Sequence, residues 1–452
     1  MDTIKYTIAS ATQPKSQKLF RLRGTVQDYE WGKFGSTSLA ADLAQEGVGS
    51  DFKLDKNHPY AELWMSTHEN GPASTFTTPS RQLGDMVNSE PEHYLGQTVL
   101  QRFPGSKQVP FVFKILSAGK ALPLQAHPDK KLGEELHKRD PKQFNDTNHK
   151  PEIAVAIGPP VSDSFGGPPE TAFLGFAGFQ PLESIQRTLR SVPELQAAIG
   201  DELAVKEFLE SPSQDTLKSI YYALLTRGKE AYEETKEHVS ALFKGTGASP
   251  PSEVSTLVRL AKRVDEQYPG DVGVFAVPFF MNLFRLKKGE AIYVGADEVH
   301  AWFEGDIIEC MAASDNVINS AFVPPEQRDV ETFNDMLTYV SRDPSHWVLP
   351  TTPLERSVHG RTTEISPPLA EFEVLHSVLE PGKPDAILAA RGPTIGIVAS
   401  GSRVHFEVEH EKLDLPRGGI VFLAPGCDVK VSYVGDGETG GEVWWATTHD
   451  LE

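Results

Sequence analysis

The sequence predicts a mainly β fold interrupted by one helical insert. Three observations lead there. Short apolar runs such as PFVFKIL and PEIAVAIG, punctuated by Gly, Pro and Asn, fill residues 18 to about 157. Helical spacing takes over from about 181 to 268, and strand character returns near VFAVPFFMNLF and continues through most of 370–448. At 452 residues the chain exceeds one ordinary core, so two or three domains are expected.

The elements follow in order. The first stretch reads as an antiparallel β domain. Residues 158–169, GPPVSDSFGGPP, form a loop too rich in Gly and Pro for regular structure. In the insert, Leu182, Ile185 and Leu189 share a helical face, as do Leu217, Ile220, Tyr221 and Leu224. The segment PPSEVSTLVRLAKRVDEQ opens with a Pro/Ser/Glu start signal. These stripes hold no candidate ligand or nucleophile, and their expected role is packing.

Composition narrows the function. A net charge of −20 argues against nucleic acid or an anionic membrane as partner. No apolar run approaches the roughly 20 residues of a membrane span, and the polar N-terminus has no signal-like apolar stretch. A cytoplasmic location is the expectation. Cys310 and Cys427, the two cysteines, read as reduced, packed thiols.

LPLQAHPDKK places Gln125 and His127 two positions apart, hence on one face of a strand. In HKPEIAVAIG, Ile153, Val155 and Ile157 make one apolar face, which leaves Glu152 to point the other way among alanines. In GEAIYVGADEVHAW, a turn glycine, a strand and a second turn lead to His300. Gln, His, Glu and His form a mixed nitrogen and oxygen set that zinc, iron and manganese all accept. On spacing alone, a packed strand histidine and a bridging glutamine explain these residues equally well.

The turn and histidine of GEAIYVGADEVHAW resemble the second half-motif of the cupin barrel. The stretch ILAARGPTIGIVASGSRVHFEV to LPRGGIVFLAPGCDVKVSY has similar punctuation without paired histidines. Two cupin-like jelly-roll barrels plus an α-helical domain are therefore expected, only the first with metal. The expected division is a discontinuous metal domain (1–175 and 272–335), a helical domain (176–271) and a C-terminal cupin-like domain (336–452).

Longer stretches resemble type I phosphomannose isomerase. They are VQDYEWGKFGSTS, YAELWMSTHENGPA, the run from PFVFKILSAGKALPLQAHPDKK to NHKPEIAVAIG, FLGFAGFQPLE and GEAIYVGADEVHAWFEGDIIECMAASDN. The resemblance implies one zinc per chain, held by Gln125, His127, Glu152 and His300. It implies interconversion of mannose 6-phosphate and fructose 6-phosphate, a step feeding GDP-mannose, by moving a proton between C1 and C2 through a cis-enediol. It places Lys150, Glu309 and Asp315 at proton-handling positions, and Trp31 and Lys114 on the substrate side. The expected partner is a small phosphorylated sugar, and the expected state a monomer.

Three substrate-side positions depart from the family. Asn319 stands where the family has its catalytic arginine, Pro325 where it has a phosphate-side lysine, and Pro123 where it has a phosphate-contacting serine. Proline cannot donate even a backbone hydrogen bond. Lys114, Lys120 and Arg328 are the candidates for compensation. Two readings follow. One is an active isomerase with a rebuilt anion site. The other is a zinc-bearing, weak or silent paralogue that binds a sugar or a protein partner, or an isomerase of a different sugar.

Overall fold

The computed structural model describes residues 17–162, 165–244, 252–436 and 439–449. The polar N-terminal segment before residue 17, part of the 158–169 loop, and Pro250 and Pro251 of the expected start signal lie outside them. The observed order is strands, a helical insert from Leu182–Ser191 to Ser252–Gln267, and strands again. The first β stretch also carries helices the sequence reading did not anticipate, including Leu39–Gly47 and Lys130–Arg139. Each has a local cause: Ser38 accepts from the Ala41 amide and Asp129 from the Leu132 amide, capping orphan N–H groups at the helix starts.

The main sheet has eleven strands, drawn from Thr25–Gln27 through Val348–Leu349. The C-terminal region forms an eight-stranded sheet and a four-stranded sheet. Among the described residues no sheet path closes on itself, so the expected barrels are open-edged sheet pairs. The eight-stranded sheet ends on two-residue strands, Thr352–Pro353 and Ser74–Thr75, too short to template further pairing.

One pairing crosses the whole chain. The strand Leu19–Arg23 joins the C-terminal sheet, with Leu22 opposite Ile420. Its neighbour Thr25–Gln27 pairs instead with Glu62–Met65 of the main sheet. The start of the chain therefore ties the two β regions together. Their shared core includes Ile153, Val155, Ile308 and Cys310 of the main sheet together with Leu22, Ile420 and Trp445. Ile153 and Val155 thus take the apolar face that alternation predicted. The helical insert packs on the opposite side, where Leu189, Ile220 and Leu224 meet Phe176, Ala301 and Phe303.

Candidate functional site

The central element is the strand His300–Ala312, the longest among the described residues. Its first half pairs with Thr171–Phe179 and contacts Gln125, and its second half pairs with Phe111–Ala118 and Glu152–Ala156. Near the changeover the register against Thr171–Phe179 slips between Leu174 and Gly175, and Gly305 adopts φ +126°. A one-residue slip exchanges the faces of every residue beyond it. His300 and Trp302 precede the slip and Ile307 and Glu309 follow it. Residues nine apart, which a regular strand would point oppositely, therefore share one interior. A Cβ at Gly305 would lie 2.5 Å from the Ala172 carbonyl oxygen, besides facing an unfavourable φ. Gly305→Ala is expected to cost roughly 1–3 kcal/mol or more, read by urea unfolding.

His127 lies just past the strand Leu124–Ala126, and its backbone carbonyl accepts from the amide of Asp297 in the turn before His300. Gln125 stands directly opposite His300 in register, so the two share a face. His127, Glu152 and His300 converge, with ligand-capable atoms within 4.8 Å of one another. All three are buried, at 1%, 2% and 0% exposure.

Protonation follows from the partners. His127 Nδ1 lies 2.8 Å from the Asn316 carbonyl oxygen and His300 Nδ1 lies 3.2 Å from that of Glu298. A carbonyl only accepts, so each Nδ1 carries a proton, and in the neutral ring Nε2 presents a lone pair. Those Nε2 atoms face Glu152 at 3.4 and 3.1 Å, yet neither has a hydrogen-bond partner among the described residues. Burial, reinforced by the charge of Lys150, pushes the His127 pKa down to about 3. Glu152 stands between the two rings, and a carboxylate oxygen only accepts. Two imidazoles and a carboxylate thus meet in a buried site, with no hydrogen-bond partner for either Nε2 among the described residues. A cation satisfies all three, and the backbone carbonyls behind the rings are the second shell that fixes metal-binding histidines.

Beside this trio lies a cavity of about 500 Å³ lined by Gln125, Glu152, Lys150, Glu309, Asp315 and Asn319, with Trp31 and Lys114 also on its wall. The structure therefore brings Gln125, Lys150, Trp31, Lys114, Glu309, Asp315 and Asn319 together around one space. Lys114 sits among the apolar residues of the run PFVFKIL, opposite Trp64 on one side and Glu309 on the other. Its ammonium lies 2.8 Å from Glu62 and 2.5 Å from Glu309. Trp64 donates to the second oxygen of Glu62, and Trp302 to that of Glu309. Burial opposes charge on Lys114, but the two carboxylates outweigh it and hold the ammonium protonated. Burial, with the negative charge of Glu152 and Glu62, raises the Glu309 carboxyl against the pull of Lys114.

Glu62 and Trp64 escaped the sequence reading. An acid two residues from a tryptophan within the apolar run YAELWM was the available signal, because i and i+2 share a face. Tyr29 was also missed. It stacks on Trp31 with ring centroids 5.6 Å apart and extends the aromatic wall. Asp315 accepts from Asn70 and Asn145 and faces His68 Nε2 at 3.4 Å, which holds its carboxylate in place.

The three departures spread over two adjoining cavities. Asn319 lines the main one, with its Oδ1 buried and unpartnered among the described residues. Pro325 lines a side cavity of about 410 Å³, and Pro123 lines both. Of the compensating cations, Lys114 is held by two carboxylates. Arg328 is spent on structure: it is buried, 2.6 Å from Asp271, and donates to the Gly228 and Val323 carbonyls. Lys120 lines the side cavity.

Known proteins match this chain in sequence and in fold. The catalytic-domain model of type I phosphomannose isomerase matches residues 19–164, and the model of that family's helical insertion domain matches residues 195–281. The mannose-6-phosphate isomerase of Candida albicans is 36% identical over 440 residues, covering 92% of this chain and 95% of that one. That of Saccharomyces cerevisiae is 35% identical over 428 residues, covering 91% and 94%. A mutant phosphomannose isomerase from Salmonella typhimurium has the same fold, with a TM-score of 0.76 at 22% identity over 96% of this chain and 100% of that one. A zinc-bound mannose 6-phosphate isomerase structure agrees equally, at TM-score 0.76 and 22% identity over the same shares. With both domain models matched and relatives above one-third identity along nearly the whole chain, this protein belongs to the type I phosphomannose isomerase family.

Proposed function

We propose that the chain is a zinc-dependent aldose–ketose isomerase that interconverts mannose 6-phosphate and fructose 6-phosphate. The observation that carries this reading is the trio of buried, donorless acceptors opening into the cavity that holds Lys114 and Glu309. His127, Glu152 and His300 would hold one zinc, with Gln125 as the fourth ligand, a set zinc accepts. Bound there, zinc supplies Lewis-acid polarisation of the sugar oxygens at C1 and C2.

The rest falls to the chain. Glu309 is immobilised by Trp302 and Lys114, and its raised proton affinity suits a group that must both take and return a proton. Lys114, charged and buried beside it, stabilises negative charge developing on an enediolate. Lys150 lines the same cavity without an ion pair among the described residues, free to meet the substrate. Asp315, held by amides, completes the candidate proton-handling set. Trp31 and Tyr29 offer an aromatic face to the sugar ring.

We also propose the division into 1–175 with 272–335, 176–271 and 336–452, a monomeric state and a cytoplasmic location. Supporting the last two are a high net charge and two buried, unbridged thiols. No described helix is long and apolar enough to cross a membrane.

The deciding measurement is a coupled assay of purified protein with its zinc content determined in the same sample. Conversion of mannose 6-phosphate that scales with bound zinc is expected. A zinc-replete protein without any conversion would refute the assignment.

A further inference from the structure

The side cavity adjoins the main one across Trp31 and Pro123. Its floor is built from both domains. The amide of Lys120 donates to the Trp31 carbonyl, while Ala121 is clamped by the helical insert: Gln267 Oε1 accepts from its amide at 2.9 Å and Tyr268 Oη donates to its carbonyl at 2.6 Å. These contacts fix where two side-chain donors sit. Lys120 Nζ lies 4.1 Å from the Tyr268 ring centroid, a cation–π contact that holds the half-buried ammonium in place without neutralising it. It has no carboxylate within ion-pair distance among the described residues. With its Oε1 committed to Ala121, Gln267 has an amide Nε2 with no protein partner among the described residues. Of the other charged groups on the wall, Asp271 and Arg328 neutralise each other and Glu30 stands at the exposed rim.

We propose that this side cavity binds the phosphate of the sugar substrate, with the Lys120 ammonium and the Gln267 amide as its donors. The proposal rests on the isomerase reading, and it goes further by placing the anion site at the seam with the helical insert. The seam thus sets the preference for a phosphorylated over a neutral sugar. A phosphate there replaces the contacts that a serine at 123 and a lysine at 325 cannot make in this chain. The sugar carbons would then extend past Trp31 and Pro123 toward Glu309 and the metal trio. An ammonium and an amide donor suit a phosphate monoester, which offers only acceptors when fully ionised.

The test is equilibrium binding of mannose 6-phosphate and of unphosphorylated mannose to the zinc-loaded wild type, Lys120→Met, Lys120→Arg and Gln267→Glu, by calorimetry. Lys120→Met is expected to weaken mannose 6-phosphate binding at least about tenfold while leaving mannose unchanged, and Lys120→Arg to restore most of the loss. Gln267→Glu keeps the acceptor for Ala121 but sets a carboxylate against the phosphate, and the same selective loss is expected. A general loss of folding would weaken both sugars together and count against the proposal. Unchanged mannose 6-phosphate affinity in Lys120→Met, or a wild type that does not bind it, overturns the proposal. Turnover judges the isomerase reading separately: selective binding without conversion would sink that reading and keep the anion site, while conversion with unaltered binding in Lys120→Met would do the reverse.

Discussion

His127→Ala is expected to purify with almost no zinc, against about one per chain in the wild type, and to lose isomerase turnover in proportion. The ring contributes one of three buried acceptors that face one another without a donor. Without it, Glu152 and His300 lack the third buried acceptor needed to hold a cation against water. The stability change follows from mass action. A metal present at a thousand times its dissociation constant stabilises the folded state by about 4 kcal/mol, which the variant forfeits in addition to the cavity left by the ring. Chelator should therefore lower the melting temperature of the wild type and leave that of the variant almost unmoved. Full zinc content in His127→Ala, or a wild type indifferent to chelator, would eliminate the site.

Asn319→Arg is expected to raise kcat for mannose 6-phosphate by about 10² to 10³. The family resemblance places an arginine at this position, and here the Asn319 side chain leaves Oδ1 buried, without a partner among the described residues, on the wall of the main cavity. Acidic groups crowd that wall, with Glu62, Glu152, Glu309 and Asp315 against Lys114 and Lys150. A guanidinium there would meet charge that develops only as the enediolate forms, so its effect belongs in kcat. Pro325→Lys and Pro123→Ser border the side cavity and concern a phosphate whose charge is the same throughout the reaction. Both should act mainly on KM. The unaltered protein is accordingly expected to turn over more slowly than the ~10 s⁻¹ usual for enzymes. A wild type already at that rate would show that Lys114 or Lys150 does the work of the arginine.

Much of the site was legible because strand chemistry has a period of two. Alternation in EIAVA set Glu152 against Ile153 and Val155, and the structure puts the isoleucine and valine in the core shared with the C-terminal sheet. Gln125 and His127 were readable for the same reason. The insert was legible through its period of 3.6, and its helices fall within a few residues of the expected bounds. Helices such as Leu39–Gly47 were not, since short segments among strands owe their form to capping and to the sheet beneath rather than to a long stripe.

By itself the sequence determined which residues face inward and which chemistry they carry: the acceptor set, the lysine within PFVFKIL, and the proline, asparagine and proline at 123, 319 and 325 that depart from the family it resembles. Only the tertiary structure decided who meets whom. It put Leu19–Arg23 in the C-terminal sheet, joined Glu62 to Glu309 through Lys114, and set Arg328 against Asp271 while leaving Lys120 without an ion pair among the described residues. It also turned Glu309 to the same side as His300 through the slip near Gly305. Periodicity reports the face of each residue within its own element. Partners separated by tens to hundreds of positions are chosen by register and by competition for burial across the whole chain, and a local pattern holds neither.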